Sequence, residues 1–78
     1  MSAGVFILPI GAIDDHSPHA RDELYYVVKG QGVLQVSGED RVVGAGSTMF
    51  VSAGVEHHFH TIAEELVMLV FFGGEAGG

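Results

Sequence analysis

Seventy-eight residues make one small domain, and a formal charge of −7 set against only three cations, Arg21, Lys29 and Arg41, excludes the Lys/Arg cluster that nucleic acid or an anionic membrane surface requires. The chain has no cysteine, so disulfides and thiolate metal sites are ruled out and a cytoplasmic setting is the expectation. The apolar fraction is 47%, high for a chain whose isolated core is only marginally stabilising, which points to a metal, a second copy of the chain, or both.

Glycine supplies the punctuation. Gly11, Gly30/Gly32, Gly38, Gly44/Gly46, Gly54 and Gly73/Gly74 separate short pieces rich in Val, Ile, Phe, Tyr and Thr, the composition of strands. Strands are expected at 4–10, 23–29, 31–37, 40–43, 48–52, 56–61 and 65–72, with tight turns at Lys29-Gly30-Gln31-Gly32 and Ser37-Gly38-Glu39-Asp40. Many short strands with turn signals at this interval give an all-β barrel or sandwich, spanning 1–78 as a single domain with a frayed glycine-rich tail over 73–78. The first apolar stretch lacks the basic start and the length of a targeting signal, and Leu66 to Phe72 is too short to span a bilayer.

The polar residues inside these segments carry the chemical information. His16 and His19 flank Ser17-Pro18 ahead of the second expected strand, where the proline marks an edge, bend or bulge. Glu23 follows four residues after His19, hence on the same parity, and shares a face with Tyr25 and Val27. If that face is inside, the carboxylate needs a cation or hydrogen bonds; if it is outside, Glu23 is simply solvated. His16 has the wrong parity for a straight strand, though a kink at Ser17-Pro18 could swing it inward. In Val55-Glu56-His57-His58-Phe59-His60-Thr61, period two puts His57, Phe59 and Thr61 on one side and His58 and His60 on the other. Leu66 to Phe72 is apolar on both faces, which fits either a buried central strand or one that covers the barrel and also meets a second subunit. Imidazoles and a carboxylate converging from separate strands are what a divalent metal needs.

At these positions the chain resembles the cupin family. The first cupin motif places a glycine, a His-x-His pair, a glutamate and a second glycine at fixed intervals. Gly11, His19, Glu23 and Gly30 stand in register with it, while Ser17, with His16 beside it, takes the place of the first histidine. In the second motif Gly46, Gly54 and His57 match, and Ser52 and Thr61 stand where the family has proline and asparagine. The resemblance implies a minimal cupin-like double-stranded β-helix, a jelly-roll barrel. It also implies a divalent metal (iron, manganese, nickel or zinc) held by His19, Glu23 and His57, with His16 as the fourth ligand or a water in its place.

Three functions follow as expectations. One is a metal-dependent enzyme of dioxygenase, isomerase or lyase type acting on a small organic molecule, with Tyr25 along the pocket wall as hydrogen-bond donor or proton relay. Another is a non-catalytic module that binds a small ligand or a metal. The third is a purely structural role in which a homodimer is the point. A serine-nucleophile elbow and a phosphate-binding loop are both absent from the sequence.

Overall fold

The β-branched and aromatic segments form five strands in the computed structural model, which describes residues 2–14 and 21–75. They are β1 (Ser2–Leu8), β2 (Arg21–Val36), β3 (Glu39–Gly44), β4 (Thr48–Val51) and β5 (His57–Glu75). The sheet order is β1-β5-β2-β3, with β4 also on β2, and every pairing is antiparallel. No helix long and apolar enough to cross a membrane occurs among the described residues.

Five strands replace the seven expected because two pairs of segments are continuous. β2 runs through Lys29-Gly30-Gln31-Gly32, which is a bend rather than a hairpin turn. Its register against β5 shifts between Val27 and Lys29, between Lys29 and Gln31, and again between Gln31 and Val33. Before the bend Glu23, Tyr25 and Val27 face inward; after it Gly32 and Leu34 do. An inserted residue switches the inward parity in this way. Gly30 has φ of 101°, and a Cβ there would stand 2.0 Å from the Glu65 carbonyl oxygen, so the bend closes only on glycine. The other expected turn does form: Ser37 and Gly38, with φ of 49° and 83°, link the paired residues Val36 and Glu39 as a two-residue hairpin.

β5 has a matching switch. His57 and Phe59 face inward at its start, then Ile62, Leu66, Met68 and Val70. The change falls at Thr61, whose φ is 49° and whose side chain is exposed, so Thr61 does not share the inner face of His57 and Phe59 as strict alternation requires.

The β2–β5 ribbon therefore folds over at its middle, and its two halves face one another. Tyr25 of the first half meets Phe59 of the second edge to face at 5.2 Å between ring centroids. Val27, Leu34, Phe59, Leu66 and Met68 fill the space between, all at 1% exposure or less. The outer surface is unequal. On the first half Leu24, Tyr26 and Val28 of β2, Val5 and Ile7 of β1, Leu69 of β5 and Phe50 of β4 all stand exposed. The last apolar stretch is thus central in the sheet, with β1 on one side and β2 on the other, but its outer face is not covered.

Candidate metal centre

Inward parity on the first half of β2 carries Glu23 and Tyr25 into the interior, at 2% exposure each. The turn before β5 brings His57 opposite them. That turn is closed by the Val55 amide donating to the Ser52 carbonyl and is tied to β2 by the Ala53 amide donating to Asp22 Oδ1 at 2.7 Å. His57 Nε2 lies 3.7 Å from Glu23 Oε2, although the two residues are 34 positions apart and at opposite ends of the ribbon ladder. The phenol of Tyr25 joins them, donating to Glu23 Oε2 and lying 3.3 Å from His57 Nε2.

The protonation pattern follows from these contacts. His57 Nδ1 is 2.9 Å from the Val55 carbonyl, which can only accept, so Nδ1 carries a proton. With a proton on Nδ1, Nε2 is the ring atom turned to the interior, the arrangement that orients a histidine as a metal ligand. Burial, the hydrogen bond to Glu23 and the charges of Glu23 and Asp14 all push the Tyr25 hydroxyl well above its ordinary value. Tyr25 is therefore a neutral O–H donor at any physiological pH.

Asp14 is the member that sequence reading missed. It is 7% exposed, and its Oδ2 accepts from the Phe59 amide at 3.0 Å, pinning the segment after β1 against the start of β5. Nothing in Ile13-Asp14-Asp15 distinguishes a buried aspartate from a solvated loop residue; the signal is tertiary. A cavity of about 490 Å³ opens beside the group, lined by Asp14, Glu23 and Tyr25 on its polar side and by Phe6, Val70 and Phe72 on its apolar side.

Of the residues singled out from the sequence, Glu23, Tyr25 and His57 come together. His16 and His19 lie outside the described residues. His58 and His60 point to the opposite surface, where His60 pairs with Asp40 at 2.9 Å. Among the described residues no set of three His, Asp or Glu side chains converges in metal-binding geometry. The pair that does converge suits a divalent ion. Its donors are one imidazole nitrogen and one carboxylate oxygen, and their 3.7 Å separation is close to the roughly 3–3.5 Å between two donors sharing one ion.

A folded antiparallel ribbon with a carboxylate and an imidazole enclosed at one end defines a small jelly-roll barrel with an interior site. The chain belongs to the cupin family: the Cupin domain profile matches residues 4–72. It is 46% identical over 72 residues to an uncharacterized protein of Streptomyces coelicolor, covering 92% of this chain and 69% of that one. Among solved structures it is similar to the DMSP lyase DddQ of Ruegeria pomeroyi, with a TM-score of 0.85 and 26% identity over 92% of this chain. It is also similar to a predicted oxalate decarboxylase of Thermotoga maritima, with a TM-score of 0.78 and 28% identity over 90% of this chain. The chain spans 37% of the first and 63% of the second.

Proposed function

We propose that this cupin binds a divalent metal through Glu23 and His57, completed by His19 and His16, and acts on a small organic molecule held in the adjoining cavity. The observation that carries the reading is the enclosed Glu23–His57 pair, with Nε2 turned toward the carboxylate. The similarity to a DMSP lyase and to a predicted oxalate decarboxylase supports a small-molecule substrate.

The ion would supply Lewis acidity and open coordination positions for a substrate oxygen. The chain's own residues do the rest. Val55 fixes the tautomer of His57, and the Tyr25 proton fixes the Glu23 carboxylate. Phe6, Val70 and Phe72 form the apolar side of the cavity. Tyr25 also lines the cavity and keeps its proton, so it would become a donor to a bound substrate if the ion took over the Glu23 carboxylate. In this reading the working molecule is a homodimer, since the exposed apolar side chains of the first half need a cover.

Elemental analysis of tag-free protein beside its His57→Ala variant tests the site. Near-stoichiometric iron, manganese, nickel or zinc in the first and little in the second is the expected result. A variant that keeps one equivalent of metal at unchanged affinity overturns the ligand assignment. Metal bound without turnover of any small acid or zwitterion tried would make the barrel a binding module.

A further inference from the structure

The outer face of the ribbon's second half holds a histidine cluster that the interior site does not use. Period two sets His58 and His60 side by side on the outward face of β5, turned away from His57. Their ring centroids are 5.5 Å apart, with the planes tilted by 42°. Two imidazoles on one tetrahedral or octahedral ion have centroids roughly 4.5–5.2 Å apart, so the pair stands close to chelating geometry.

β3 brings a third donor. Gln35 of β2 pairs with His58 on one side and Asp40 on the other, which puts all three in one row. His60 reaches Asp40 diagonally, with Nε2 2.9 Å from Oδ1. That separation is close to the ~3 Å between two donors sharing one ion, so an ion can take the place of the shared proton with little movement. Hydrogen bonds from His60 and Gln35 hold the Asp40 carboxyl below its ordinary value, so it is ionised at neutral pH. As the rings stand, no three donors converge among the described residues. The half-buried His58 closes the gap by turning about its own χ bonds. A chain with a charge of −7 also concentrates cations at its surface. We propose that His58, His60 and Asp40 form a second divalent-ion site, on the outside of the barrel, for an imidazole-preferring ion such as zinc or copper(II). It shares no ligand with the interior site.

Zinc titration of the tag-free, metal-free full chain by calorimetry tests it. Wild type is expected to take an outer equivalent in addition to any that the interior holds. His57→Ala should keep that outer equivalent, whereas His60→Ala and Asp40→Asn should weaken it by roughly tenfold or more. Copper(II) gives a second readout. In His57→Ala, electron paramagnetic resonance is expected to show nitrogen coupling from two imidazoles, reduced to one when His58→Ala is added. Should His57→Ala not fold, wild type against His60→Ala decides, because position 60 lies on the outer surface. A folded His57→Ala protein that takes up no zinc overturns the proposal, as does one whose zinc survives the further change His60→Ala. A single equivalent that disappears in His57→Ala and stays in His60→Ala upholds the interior site and overturns this one; the opposite response does the reverse.

Discussion

The two halves of the β2–β5 ribbon use one ladder and opposite outer chemistries. Before the bend the outer face of β2 and β5 reads Leu24, Tyr26, Val28, Leu69 and Phe71; after it the outer face carries Gln35, His58 and His60 beside Asp40 of β3, with the paired Val33 and Val42 as its apolar members. The second half has its outer polar groups tied to one another, with Gln35 donating to Asp40 Oδ1 at 3.0 Å and His60 Nε2 at 2.9 Å from the same oxygen. The inner faces differ as well. The first half supplies Glu23 and Tyr25, the second His57 and Phe59, and neither half alone makes a site. What the comparison teaches is a division of labour set by the fold. The bend converts two ordinary strands into facing walls, and the outer residues then give the two walls different surfaces.

Breaking the bend breaks the comparison at its root. Gly30→Ala sets a methyl against the Glu65 carbonyl oxygen at a φ that side chains rarely adopt. A loss of about 3–5 kcal/mol is expected, enough to lower Tm by roughly 12 °C or more in a domain this size. Thermal unfolding followed by circular dichroism checks it, and a Tm within two degrees of wild type would contradict the role given to this glycine.

The inner wall is sharpened next by Tyr25→Phe in metal-free protein. The variant deletes the donor to a buried carboxylate, which is expected to cost about 2 kcal/mol in urea unfolding. It also has a pH signature. The folded protein keeps the Tyr25 proton beyond the ordinary tyrosine pKa of 10.0, whereas the unfolded chain loses it there. The unfolded state then binds fewer protons, so wild-type stability is full below pH 10 and falls as pH rises above it. Tyr25→Phe should flatten that alkaline limb; an unchanged limb would mean that another group produces it.

How much of this was legible beforehand differs by residue. Strand composition and period two identified Glu23, Tyr25 and Val27 as one face, and the matched motifs identified the barrel. The glycines at 30 and 32 were legible as interruptions but not as a bend, because the same letters serve a hairpin turn and a close strand crossing. The contact that distinguishes them, Gly30 against Glu65, joins positions far apart in the chain. The burial of Asp14 was hidden for the same reason: its partner is the Phe59 amide. Thr61 broke the expected alternation through its own backbone angle, which no periodicity count contains.

That angle gives a smaller effect of opposite sign. A β-branched residue at φ of 49° is strained, and asparagine is the side chain that best tolerates this region after glycine. Asparagine is also the residue that the family motif has where Thr61 stands. Thr61→Asn is expected to stabilise by about 1 kcal/mol, raising Tm by roughly 4–8 °C. A fall in Tm would instead show that the contact between Thr61 Oγ1 and His60 Nδ1, 2.9 Å apart, outweighs the strain.

The smallest effect lies on the outer wall of the second half. Hydrogen bonds from His60 and Gln35 hold the Asp40 carboxyl below its ordinary value. A lowered folded-state pKa means that this contribution is present above the ordinary aspartate pKa of 3.8 and is lost as pH falls through the folded value. The carboxylate is fully exposed, so water and salt screen it, and Asp40→Asn should leave Tm at neutral pH nearly unchanged. A fall in Tm of several degrees on Asp40→Asn would show that this exposed cluster contributes more than screening allows.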